Sequence, residues 1–226
     1  MEHVSESSLE HFFGKELPLE QNFLFIEDID AKGELILLDL IKNYLYLNFD
    51  TVLVLLDALP HRVFEELAAK ESNNFSIVTT QSNLSSKYKT SSKLHEINLT
   101  LKAIRRQIQP EKKLAMFFWS LNPLFILYDS NNVIQFYMEN VKHSIENKTI
   151  EFYLIQKGLV DDLVIRRLIA IAHCVIQLEK TSPVDDVYNV KYLKSIEINC
   201  NRKKIKYKFE VGNSIWNNKI LFIDHL

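Results

Sequence analysis

The stretch "EDIDAKGEL", residues 27–35, stands between the apolar run "NFLFI" and the helix-like segment "LILLDLIKNYLYL". A strand, a loop ending in glycine and a helix make the frame of a phosphate-binding loop, with the spacing G-x-x-x-x-G-K-[ST]. On that spacing Asp28 takes the first glycine, Gly33 the second, Glu34 the lysine and Leu35 the hydroxyl residue. The chemistry needs a lysine to meet phosphate charge and a hydroxyl to hold magnesium. Glu34 reverses that charge beside Asp28 and Asp30, and Leu35 cannot coordinate a metal. Two unit charges about 4 Å apart interact by about 4 kcal/mol at an effective dielectric near 20, so the reversal turns a favourable term of that order into an unfavourable one. The same stretch also reads as an acidic turn in which Asp28 and Asp30 meet the positive end of a helix dipole.

Other reactive side chains give weaker signals. The histidines are His3, His11, His61, His95, His143, His173 and His225, and no two have the i, i+4 spacing of a helical metal site. Cys174 and Cys200 lack CxxC partners, so neither a metal nor a cofactor is expected. Ser120 has no glycine-flanked nucleophile elbow. Asp161 and Asp162 read as helix-capping residues or as an acid/base pair, although adjacent helical residues point about 100° apart. Arg105 with Arg106, and Arg166 with Arg167, read as solvated helix faces or as arginines offered to a neighbouring site.

These residues sit on a chain of 226, 47% hydrophobic and 11% aromatic, enough to fill a substantial core. The formal charge of −2 gives no global field toward nucleic acid or membrane. The start "MEHVSESSLEHFF" lacks the basic and long apolar regions of a signal peptide, and no apolar run is long enough to cross a bilayer. A cytoplasmic protein without membrane insertion is expected. Four glycines, at 14, 33, 158 and 212, leave little material for backbone nests that hold phosphate.

Hydrophobic period predicts the elements that position the loop. "NFLFIE", "TVLVLLD" and "FSIVTT" read as strands, residues 34–48 as a helix, and "PHRVFEELAAK" as a helix opened by Pro60. Residues 80–96 lack apolar period and read as a loop before the helix "INLTLKAIRRQI". "KLAMFFWSL" has no polar face and is expected in the middle of the sheet. A helix over about 131–146, the strand "IEFYLIQ", the helix "DDLVIRRLIAIA" and the strand "HCVIQLE" follow. From Val187 three strand-like segments succeed one another without helices. The fold class is therefore α/β, a mainly parallel central sheet flanked by helices with a C-terminal antiparallel β extension. One domain over 1–226 is expected, its core at about 20–180 and its meander at about 187–226.

Taken in order, these segments resemble the RecA-like ATPases, especially their KaiC-like branch. "LLDALPHRVFEELAAK" is similar to that branch's stretch after the second strand, with Asp57 at the first of two catalytic glutamates and Ala58 at the second. "MFFWSLNPL" is similar to the Walker B strand, with Trp119 at the aspartate. "QKGLVDDLVIRRLIAIAHCVIQLE" and "YLKSIEINCNRKKIKYKFEV" resemble the last core strand's approach and the hairpin beyond it, without a recognisable basic sensor.

The resemblance implies a degenerate nucleotide site at Asp28, Gly33, Glu34, Leu35, Asp57 and Trp119. It implies a non-catalytic, pseudo-ATPase subunit that assembles with itself or with other RecA-like subunits, in settings such as signalling, archaeal motility or an Elongator-like ring. Two alternatives stand beside it: an atypical ATPase whose site a neighbour completes, and a recombinase-paralogue-like nucleic-acid binder. Phe12, Phe13 and Leu17 read as a docking strip or as a helix packed on its own domain. In "NRKKIKYKF" Lys204, Lys206 and Lys208 alternate with Ile205, Tyr207 and Phe209, so period two places a basic stripe on one strand face, extended by Arg202 and Lys203. That stripe suits nucleic acid or an acidic protein surface, or else guards a sheet edge against aggregation.

Overall fold

The computed structural model describes residues 12–13, 21–56, 64, 73–80, 87–108, 112–181, 186–194, 205–210 and 219–223. Strand β1 (Asn22–Glu27) leads into helix α1 (Gly33–Tyr46), then β2 (Asp50–Leu55), β3 (Phe75–Thr79) and the short β4 (Tyr88–Lys89). Helix α2 (Leu94–Gln107), strand β5 (Leu114–Phe118), helices α3 (Asn122–Leu127) and α4 (Ser130–Glu146), and strand β6 (Ile150–Gln156) follow. Helix α5 (Asp162–Ile171) and strands β7 (Cys174–Lys180), β8 (Val187–Lys194), β9 (Ile205–Glu210) and β10 (Lys219–Ile223) complete the order.

The described strands form a single sheet in the order β10-β9-β8-β7-β1-β6-β5-β2-β3-β4. From β7 to β4 every pairing is parallel, and from β7 to β10 every pairing is antiparallel. Apolar residues occupy both faces of the parallel strands because helices cover both. Phe23 and Phe25 of β1 join Phe117 and Phe152 on the α1 side, while Leu24 and Ile26 join Phe118 and Tyr153 on the side of α2 to α5. Strand β5 is buried throughout and lies between β6 and β2, in the interior position its lack of a polar face predicts.

Two αβ turns are built alike. After α1, Asn48 adopts φ 62°, its amide donates to the Leu45 carbonyl, and the Phe49 amide reaches back to Tyr44. After α4, Lys148 adopts φ 55°, with the same bonds to Ile145 and from Thr149 to Ser144. Each left-handed residue closes a helix end and sends the chain straight into the next strand.

Several expectations change. Residues 80–96 hold β4 and the first turn of α2, and the short α3 after β5 carries no periodic signal of its own. Phe12 and Phe13 are not an exposed docking strip: they are buried against Phe25 and Phe23, and the Tyr192 hydroxyl donates to the Phe12 carbonyl. Leu17 and the helix expected from Pro60, apart from the buried Phe64, lie outside the described residues. The lysine strand β9 is not the sheet edge, because β10 pairs along it. Among the described residues, no helix is long and apolar enough to cross a membrane.

Candidate functional site

The carboxyl ends of β1, β6 and β7 meet at the 28–32 loop, the crevice where open parallel sheets of this kind present their ligands. The loop is tied on both sides: the Asp28 amide donates to the Leu178 carbonyl at 3.0 Å, and the Lys157 amide to the Glu27 carbonyl at 2.8 Å. Its backbone turns tightly, with Asp30 at φ 65° and Lys32 at φ 53°, both in the left-handed region that non-glycine residues seldom occupy. Ala31 is fully buried, and its carbonyl accepts from the Tyr207 hydroxyl at 3.3 Å. The C-terminal hairpin thus packs directly beneath the loop.

At the start of α1, where a phosphate would meet free amides and the helix dipole, the chain places its own carboxyl group. The Gly33 amide donates to the Glu27 carboxylate at 2.7 Å. Burial pushes the Glu27 carboxyl up to about 7, Glu34 adds to the shift, and the Gly33 hydrogen bond opposes it. The fit is close: a Cβ at Gly33 would lie 2.7 Å from Glu27 Oε2 and 2.8 Å from Leu154 Cδ1. Sequence reasoning missed Glu27, which closes an apolar strand. The available signal was an acidic residue at a strand's end facing a helix start.

The loop's own lysine reaches to the C-terminal strands. Lys32 Nζ lies 3.7 Å from Asp186 and 5.6 Å and 5.9 Å from the Tyr188 and Phe209 ring centroids. The Tyr188 hydroxyl, ahead of Asp186, holds its amine above the usual lysine range. Glu34 and Leu35 are half-buried in the first turn of α1. Beside the loop an open depression of about 580 Å³ is lined by Asp28, Ile29, Asp30, Lys157, Gly158, Lys180 and Thr181. Lys157 and Asp28 pair across it at 3.2 Å. Large apolar side chains stand exposed around this end: Ile29 at 64%, Leu159 at 62% and Leu163 at 66%.

Trp119 follows β5, separated from β1 by β6. Its amide donates to the Val54 carbonyl, and its ring meets Phe64 edge-on at 4.8 Å, partly buried against the α1-side core. The adjoining Ser120 hydroxyl bonds to Asn122, which in turn bonds the backbone of Gln156 in both directions. That pattern stitches the turn to β6 and leaves Ser120 in a structural role.

Asp57, Arg202, Lys203, Lys204 and Cys200 lie outside the described residues. Lys206 and Lys208 are exposed on β9, with Tyr207 fully buried on the other face, as period two requires. Asp161 caps α5, accepting from the Leu163 amide at 2.7 Å, with Asp162 in the first turn. Arg105 cannot serve a neighbour: its guanidinium is buried and bonds Glu151 at 2.9 and 2.5 Å and Asn140 at 2.9 Å. Arg106, Arg166 and Arg167 are exposed, Arg167 bonding Asn131. Among the described residues no group of His, Cys, Asp and Glu has the makings of a metal site.

No family model matches the chain, and no curated protein matches it. Solved structures do. A KaiC-like protein from Pyrococcus horikoshii superposes with a TM-score of 0.65 at 14% identity, over 94% of each chain. An uncharacterised protein of the same organism, solved in complex with an unknown peptide, gives 0.65 at 12% identity over 96% of this chain and 97% of its own. The flagellar accessory protein FlaH of Methanocaldococcus jannaschii gives 0.62 at 12% identity over 92% and 93%. At such identities the likeness is one of fold, and the fold is the RecA-like α/β sheet of the KaiC-like proteins.

Proposed function

We propose that this chain is a non-catalytic RecA-like subunit that works by binding other proteins, with its nucleotide site closed. The observation that carries the reading is the Glu27 carboxyl group on the Gly33 amide, an internal acceptor in the place a phosphate would take. An incoming phosphate would have to displace that group while approaching Glu34, Asp28 and Asp30. Leu35 and Trp119, at the metal-holding positions of the resemblance, supply no oxygen ligand.

Protein binding fits the same end of the molecule. The exposed Ile29, Leu159 and Leu163 beside charged groups resemble an interaction rim more than a polar catalytic cleft. A solved protein of the same fold holds a peptide. Calorimetry tests the proposal directly. With Mg-ATP titrated into the purified chain, no saturable heat is expected below millimolar nucleotide. Micromolar affinity that is lost on Asp30→Ala or Lys32→Ala would overturn the closed site. A strictly monomeric mass by light scattering, with no partner recovered from the native cell, would overturn the binding role.

A further inference from the structure

Strands β8, β9 and β10 extend the sheet past α5, the last described helix on the side of α2 to α5. On that side they present Lys191, Leu193, Lys206, Lys208 and Leu221, all exposed. The register sets Leu221 and Val187 on either side of Lys208 and pairs Asn189 with Lys206 one step from Lys191, while Leu193 sits in the bulge at the other end of β8. The only acidic groups beside them on the described strands are the half-buried Glu179 and the exposed Glu210. A chain of net charge −2 therefore carries here a local patch that is basic and apolar together.

We propose that this face docks an amphipathic helix of a partner protein, its apolar stripe on Leu193 and Leu221 and its acidic flank on Lys191, Lys206 and Lys208. Size agrees: three strands at about 4.8 Å spacing span roughly the 10–12 Å diameter of one helix with its side chains. Charge agrees, since lysines running between two leucines at opposite ends of the face match an acidic flank beside an apolar stripe. Nucleic acid fits less well. Single strands gain affinity by stacking bases on aromatic rings, and Tyr188, Tyr192, Tyr207 and Phe209 of these strands pack toward the opposite side. The inference is independent of the closed nucleotide site, because these side chains lie on the face of the sheet opposite α1.

The test uses the full chain and three fluorescent probes: a helical peptide of about 18 residues with leucines on one stripe and glutamates beside it, the same peptide with lysines for glutamates, and a single-stranded RNA of similar length. The acidic peptide is expected to bind, and Lys206→Glu with Lys208→Glu to weaken it about tenfold while strengthening the lysine peptide. Leu193→Ser should weaken the acidic peptide too and leaves the charges in place should the double variant not fold. Absence of acidic-peptide binding, or binding indifferent to these changes, overturns the proposal. RNA bound more tightly than the peptide and lost in the double variant overturns it in favour of a nucleic-acid surface.

Discussion

Two buried carboxylates on neighbouring strands meet opposite fates. Glu151, at the amino end of β6, is neutralised: Arg105 grips it through Nε and Nη2, the Thr149 hydroxyl donates to it at 3.2 Å, and the Tyr153 hydroxyl donates to its other oxygen. Asn140 extends the network to Asn98, and one Arg105 nitrogen, Nη1, has no hydrogen-bond partner among the described residues. Glu27, at the carboxyl end of β1, holds one backbone amide and no described cation, with Glu34 close enough to raise its affinity for a proton. The amino end of the sheet is built for stability. The carboxyl end carries unresolved charge, which is where folds of this kind place function.

The largest break in that contrast is at the amino end. Arg105→Met should cost about 3–5 kcal/mol by denaturant unfolding, because it leaves Glu151 buried without its counter-ion. Arg105→Met with Glu151→Gln should recover most of the loss. If the single variant is as stable as the parent, the network is not what secures α2 to β6.

At the carboxyl end the effect is set by pH. Glu27 has a folded-state value of about 7 against 4.5 for a free, solvent-exposed side chain, so the folded state binds more protons between them. Stability should therefore be highest below about pH 4.5 as regards this group and fall as pH rises toward 7, by about 3 kcal/mol in all. Glu27→Gln keeps an acceptor for Gly33 and should remove that slope, gaining stability at pH 8. Parallel pH profiles for parent and variant would show that Glu27 is already ionised without penalty.

The smallest expected effect probes the fit between them. Gly33→Ala should cost about 1–3 kcal/mol, since its Cβ would lie under 3.0 Å from both Glu27 Oε2 and Leu154 Cδ1. Shortening the carboxylate in the same chain, Glu27→Ala, should relieve part of that cost. Strict additivity of the two changes in thermal unfolding would sever the contact.

Most strands and long helices were legible because their signal is local. "IEFYLIQ" is read as β6 and found as β6, and the apolar faces of α4 and α5 follow helical period. Short elements were not: α3 is a single apolar turn and a half around Pro123, and β4 spans only Tyr88–Lys89. Arg105 was misread although it continues the buried stripe Ile97, Leu101 and Ile104, because an arginine on a helix is usually solvated. The loop frame at 28–33 was legible from its flanks, but its plug was not.

What the sequence determined by itself is the order of elements, the change from parallel to antiparallel pairing after β7, and the absence of lysine and hydroxyl at positions 34 and 35. Each follows from periodicity or identity within a few residues. Only the tertiary structure decided that Glu27 would fill the start of α1, that Lys32 would turn to Tyr188, and that Glu151 would receive Arg105. The physical reason is that these choices are made between groups far apart along the chain, or by the dielectric around them. Burial and charge pairing exist only once the sheet has brought its strands together.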